Sequence, residues 1–74
     1  MDTKHRLVIA VRPEHAAQAE HVERELRAIK GVSVIGAFRG RFQADASDSG
    51  LEEIRRRIGN LALIEEQKSR GLPE

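Results

Sequence analysis

The stretch GVSVIGAFRGRFQADA, from Gly31 to Ala46, constrains what this chain can fold into more than any other. It holds two short β-type segments, Val32–Ala37 and Arg41–Ala46, joined by Phe38-Arg39-Gly40, and it carries both aromatic residues, Phe38 and Phe42. In the second segment Phe42, Ala44 and Ala46 alternate with Arg41, Gln43 and Asp45, the period of two that sets apolar residues on one face of a strand. The first segment is less regular. Val32 and Val34 share a face, while Ile35 and Ala37 point the other way. Strand then helix precedes this hairpin and helix then strand follows it, so the chain is nearly symmetric about it.

Leu7-Val8-Ile9-Ala10-Val11 is a continuous, β-branched-rich apolar run, the mark of a strand covered on both sides or nearly so, and we place it at the centre of a sheet. Pro13 stops that strand and suits the first turn of a helix, where its missing N–H costs nothing. From Glu14 to Lys30 the apolar positions Ala16, Ala19, Val22, Leu26 and Ile29 recur at steps of three and four and form one stripe. Glu20, Glu23, Arg24, Arg27 and Lys30 face water. Gly31 stands where a left-handed helix cap is wanted. Ser49 with Glu52 reads as a capping box for a second helix, with Asp48 as the competing cap. Leu51, Ile54 and Ile58 mark its buried stripe, and Gly59-Asn60 closes it. Leu61-Ala62-Leu63-Ile64-Glu65 is the last strand. The domain is expected over residues 1–66, with 67–74 (QKSRGLPE) a flexible tail, because that segment lacks periodicity and contains Gly and Pro.

The order βαββαβ predicts an α+β, ferredoxin-like fold: a four-stranded antiparallel sheet in the order 4-1-3-2 with both helices on one face. The other face is left uncovered. With Leu7, Ile9 and Val11 facing the helices, that open face is expected to receive Val8 and Ala10, Ile35 and Ala37 from strand two, Ala62 and Ile64 from strand four, and polar Arg41, Gln43 and Asp45 from strand three. So many aliphatic groups on an uncovered sheet mark a contact surface. Homodimerisation or ordinary surface apolarity is the plainer reading of it, and a non-enzymatic module that self-associates or binds a ligand there is the alternative function.

Composition narrows the function classes. Seventy-four residues make one small domain. Aromatic residues are 3% of the chain, so Val, Ile, Leu and Ala must build the core. The absence of cysteine excludes disulfides, thiolate metal sites and a cysteine nucleophile. A net charge of +1 gives no overall pull towards nucleic acid or anionic membrane. No apolar run approaches the ~18 residues of a membrane span, and the N-terminal apolar segment is too short for a signal peptide. A cytoplasmic location is therefore expected for the chain as it stands, and an extracellular one if its N-terminus has been trimmed. His15 and His21 point about 240° apart around a helix and His5 lies in the N-terminal flank, so no metal-ligand spacing exists. No serine or threonine sits in a nucleophile motif, and Glu52, Glu53, Glu65 and Glu66 read as surface carboxylates. No enzyme activity, metal or cofactor is expected. RNA-recognition domains share this topology, and Arg39-Gly40-Arg41-Phe42 faintly echoes their third-strand signature. They stack bases on aromatics of strands one and three, however, whereas strand one here has none and Phe42 falls on the helix side. The basic run Arg55-Arg56-Arg57 sits beside Glu52 and Glu53 and reads as a solvated helix face.

Phe42, the small Ala44 and Ala46, the helix beginning near Leu51 and Ile54, and the closing Leu61-Ala62-Leu63-Ile64-Glu65-Glu66 resemble the propeptide-type inhibitors of subtilisin-like serine proteases. With the opening strand Leu7–Val11, the resemblance reaches about 60 of the 74 residues. The family's segment closes on a further acid, which Gln67 replaces here. The resemblance implies a protease inhibitor or propeptide-like folding chaperone that lays its open sheet face on two helices of the protease. Acidic groups at the end of strand four, the position of Glu65 and Glu66, would cap those helices. The tail, with Leu72, Pro73 and Glu74, would run into the substrate cleft. Leu72 is the tail residue with pocket-filling character, since Glu74 is neither large nor apolar. On this reading the protease-binding residues are Ile35, Ala37, Ile64, Glu65, Glu66, Leu72, Pro73 and Glu74.

Overall fold

A computed structural model describes residues 4–67. The elements run β1 (His5–Val11), a 3₁₀ segment (Pro13–Gln18), α1 (Ala19–Ala28), β2 (Val32–Phe38), β3 (Arg41–Ala46), α2 (Asp48–Ile58) and β4 (Ala62–Gln67). The four strands form one antiparallel sheet in the order β2-β3-β1-β4, the expected 4-1-3-2 read from the other edge. No described helix is long and apolar enough to cross a membrane.

One face of the sheet carries the core. Leu7 and Ile9 from β1, Phe42, Ala44 and Ala46 from β3, and Ala62 from β4 are buried with Val22, Leu26 and Ile29 of the first helical region and with Ile54 and Ile58 of α2. Three alanines among these positions let the helices approach the sheet closely. The apolar run of β1 is covered on one side only: Leu7 and Ile9 are fully buried, whereas Val8 and Ala10 are half-buried. A central strand of an open-faced sheet thus resembles a doubly covered one in sequence, because both exclude charge.

The expected helix over Glu14–Lys30 is shorter and broken. Pro13 does start it, but the first turns are 3₁₀, with His15 at non-helical φ −117° and ψ 22°. This segment buries no residue, and Ala16 is exposed. Without burial to reward a continuous α-helix, the alanine pattern there does not extend the stripe. The regular α-helix ends at Ala28, Ile29 is already extended (φ −83°, ψ 126°), and Gly31 takes the left-handed conformation (φ +87°). A glycine is required at that turn, since only it adopts such a φ without a Cβ penalty.

The cap of α2 is Ser47, one or two residues earlier than expected from the Ser49–Glu52 pattern or from Asp48. The Gly50 N–H donates to Ser47 Oγ at 3.1 Å, and the Ser47 N–H donates to the Gly31 carbonyl at 2.9 Å. This ties the start of α2 to the α1–β2 turn. Gly50 is buried there, and a Cβ on it would lie 2.9 Å from the Gly31 carbonyl oxygen. The close approach decides the cap, because it sets where the helix has to begin.

Candidate sheet-face interface

Residues directly opposite one another in neighbouring strands share a face, so the register defines the open side row by row. The first row is Ser33, Asp45, Arg6 and Gln67, the next holds Gly36, Gln43, Val8 and Glu65, and the last holds Phe38, Arg41, Ala10 and Leu63. The register of β2 slips between Val34 and Gly36, leaving Ile35 as the extra residue of a β-bulge. That bulge is why the alternation of this strand looks untidy in sequence: one added residue swaps the faces of everything beyond it.

The consequence is a concentration of apolar groups. The three large hydrophobic side chains that are exposed among the described residues are Ile35 (50%), Phe38 (71%) and Leu63 (50%). Phe38 and Leu63 are the two ends of one open-face row, on the edge strands β2 and β4 with Arg41 and Ala10 between them, and Ile35 is the bulged residue next to the Gly36 row. Beside Phe38 lies a shallow groove of about 440 Å³ that Val8, Gly36, Arg41 and Gln43 help to line. A smaller hollow of about 120 Å³ runs on past Ala10 and Arg41 to Leu63 and Glu65. Both charge signs are present. Arg6 donates through Nε to Asp45 Oδ1 at 2.6 Å, and the Arg39 guanidinium stands 5.5 Å from the centre of the Phe38 ring. The turn that delivers Phe38 to this edge is the two-residue Arg39-Gly40, both at positive φ (51° and 77°), the signature of a hairpin turn matched to strand twist. The Val11 N–H donates to the Gly40 carbonyl at 2.9 Å and anchors the tip.

Several residues expected on this face are elsewhere. Ala62 pairs with Val11 and Ile64 with Ile9, so both face the helices, Ala62 fully buried and Ile64 packed against the core. Leu63 and Glu65 take the open positions. The phase of β4 was ambiguous in sequence because Leu61-Ala62-Leu63-Ile64 is apolar in both phases. Leu61, whose carbonyl accepts from the Arg12 N–H at 2.9 Å, precedes the strand and touches the core from its turn. Ala37 is opposite the buried Phe42 and so belongs to the helix side, at an exposed margin, once the bulge is counted. Glu65 and Glu66, adjacent in sequence, part company: Glu65 joins Val8 on the open face, while Glu66 is opposite Leu7 on the helix side and contacts His5. β4 extends to Gln67, one residue into the expected tail. Leu72, Pro73 and Glu74 lie outside the described residues. Phe38, in the expected connector, and Leu63, out of phase with the expected Ala62 and Ile64, are the open-face residues that the sequence pattern does not point to. Counting two residues for the turn, and one for the bulge, would have found the first.

Phe42 is buried (4% exposed) opposite Ile9, so the only aromatic ring on the open face among the described residues is Phe38. Arg57 donates to Glu53 at 2.9 Å and across to Glu25 of α1 at 3.1 Å, which engages part of the basic run within the helix layer. Among the described residues no group of three or more His, Cys, Asp or Glu side chains is arranged to hold a metal ion. No protein-family model matches the sequence, and no curated protein is significantly similar to it.

Proposed function

We propose that this protein is a non-catalytic binding module that seats a protein partner on its open sheet face, and that the partner is a subtilisin-like serine protease which it inhibits or helps to fold. The observation that carries the reading is the exposure of Ile35, Phe38 and Leu63, with Phe38 and Leu63 at the two ends of one row of the uncovered sheet face. Exposed apolar groups interspersed with charge on an uncovered face mark a protein-docking surface. Glu65, on the same face, is available as the carboxylate that meets a helix N-terminus of the partner, where negative charge is favourable. Glu66 is turned to the other side, so the capping role rests on Glu65 alone. The resemblance of the Phe42–Glu66 region to propeptide-type inhibitors selects the partner class, with Leu72, Pro73 and Glu74 reaching its cleft.

The test is progress curves for a subtilisin-type protease hydrolysing a reporter peptide in the presence of the full chain. Tight one-to-one inhibition is expected, weakened by removing residues 68–74 and by Leu63→Asp. Digestion of the protein at micromolar concentration, with no lag in reporter hydrolysis, rejects the reading.

Self-association through the same face is a second reading, favoured by its mixed charge. Arg41 and Glu65 both lie there, so a second copy rotated by a two-fold axis presents complementary signs. Light scattering across a concentration series decides it: a concentration-independent monomer removes this reading.

A further inference from the structure

His5 opens β1, and its ring lies between two carboxylates from two other elements. Nδ1 is 2.5 Å from Glu66 Oε2 at the end of β4, and Nε2 is 2.5 Å from Asp48 Oδ1 in the first turn of α2. A neutral imidazole has one N–H and one lone pair, and an ionised carboxylate only accepts. Two such contacts at hydrogen-bonding distance therefore cannot both be made by a neutral ring with two ionised partners. The trio has to hold one more proton than those groups carry separately in the neutral ring state. The simplest arrangement is an imidazolium donating to both sides. Only 17% of the His5 side chain is exposed, with Glu66 at 33% and Asp48 at 70%, so of the two carboxylates Asp48 is the one more open to water.

We propose that His5 is a proton-dependent fastener: protonated, it binds the end of β4 and the start of α2 to the first strand, and on losing its proton it must release one of them. The proposal does not depend on the identity of any partner. It does bear on the docking face, because Glu65, next to Glu66, belongs to that face and the chain continues from Gln67 towards residues 68–74. Loosening the end of β4 therefore alters the edge of the open face that Glu65 occupies.

The direction of the pH dependence follows from the surroundings. The hydrogen bond to Asp48, then the one to Glu66, raises the ring above its ordinary value of 6.5, with desolvation opposing them. The neighbouring charges on the strands, Arg6 and Asp45, are bonded to one another on the open face. From β3 the residue opposite His5 is the uncharged Ala46, and on α2 Glu52, one turn beyond Asp48, is exposed. A histidine whose value is raised on folding stabilises the native state fully below pH 6.5, and that contribution is lost as pH rises through the folded-state value. The fastener is closed in mild acid and opens on the alkaline side.

Two measurements on the full chain test this. Long-range ¹⁵N–¹H spectra of the His5 ring are expected to show both nitrogens protonated at pH 6.5, with a titration midpoint above that value. Asp48→Asn and Glu66→Gln should each move the midpoint down. Denaturant unfolding between pH 5.5 and 9 should show a wild-type advantage over His5→Gln that is present in acid and shrinks as pH rises, accompanied by lost amide protection at Glu66 and Gln67. A folded-state midpoint at or below 6.5 overturns the proposal, as does a pH-independent difference between wild type and His5→Gln. The ring titration decides the matter even if His5→Gln does not fold.

Discussion

The two phenylalanines stand four positions apart on paired strands, yet the structure assigns them opposite duties, and truncating each to alanine separates these. Phe42 is 4% exposed and enclosed by the helix-facing core, so Phe42→Ala removes a large buried ring from a domain with few large core residues. Such truncations cost about 3–5 kcal/mol. A chain of this length has a total stability of roughly 4–11 kcal/mol, at about 0.05–0.15 kcal/mol per residue. The variant should thus lose a large part of its stability, and its unfolding midpoint should fall by at least ~12 °C at about 4–8 °C per kcal/mol. Phe38 is 71% exposed, and the Arg39 guanidinium stands 5.5 Å from the centre of its ring. An exposed cation–π contact is worth about 0.5–1 kcal/mol, which bounds the stability loss of Phe38→Ala near that figure. Its cost should appear in binding instead. An aromatic anchor buried in an interface contributes on the order of 2 kcal/mol, about a 30-fold rise in the inhibition constant. Circular dichroism melts, read together with the protease progress curves, check both halves. If Phe38→Ala unfolds like Phe42→Ala, the assignment of faces is wrong. If it keeps its fold and binds its partner as tightly as the wild type, the open face is not the contact surface.

Gly50→Ala should destabilise by up to about 2 kcal/mol even though alanine favours a helix by about 1 kcal/mol, because the new Cβ meets the Gly31 carbonyl at 2.9 Å and overpacking there costs about 1–3 kcal/mol. A raised melting temperature would refute the close approach. Ser47→Ala removes the side-chain acceptor of the Gly50 N–H and should cost about 1 kcal/mol in denaturant unfolding, whereas Ser49→Ala should cost less, the reverse of what the Ser49–Glu52 spacing implies. In the Phe38→Ala background, where the ring contact of Arg39 is already gone, Arg39→Asn should stabilise by about 0.5–1 kcal/mol, since asparagine tolerates the left-handed conformation that Arg39 holds at φ 51° and Asn-Gly is the favoured pair for this turn. A melting temperature unchanged or lowered by that substitution would count against a strained hairpin tip.

Much of the architecture was readable in one dimension. The β-branched run Leu7–Val11, the alternation of Phe42, Ala44 and Ala46, and the stripes Val22–Leu26–Ile29 and Leu51–Ile54–Ile58 each state a periodicity, and periodicity is local. Chain order then leaves few ways to close four strands and two helices over one core, and the observed sheet is the one expected. The open face was legible as a category for the same reason: two helices on one side leave the other bare.

Its membership was not. Whether Leu63 or Ile64 points outward depends on the phase in which β4 pairs with β1, and a segment apolar in both phases contains no preference of its own. Ala37 and Phe38 exchanged faces because a bulge at Ile35 shifted the register of β2, an event defined by the partner strand and not by the residues of β2 themselves. The cap of α2 moved to Ser47 because Gly50 packs on the backbone of Gly31, some twenty positions away in sequence. His5 shows the same division. Alone in the N-terminal flank it has no partner spacing to read, and only the folded chain brings Asp48 and Glu66 to its two nitrogens. The sequence by itself determined the element order, the two helix stripes and the existence of a bare sheet face, because these follow from the spacing of apolar residues within each segment. Tertiary structure alone decided which side chains occupy that face and which charges meet, because both depend on the register between segments, and register is a property of pairs.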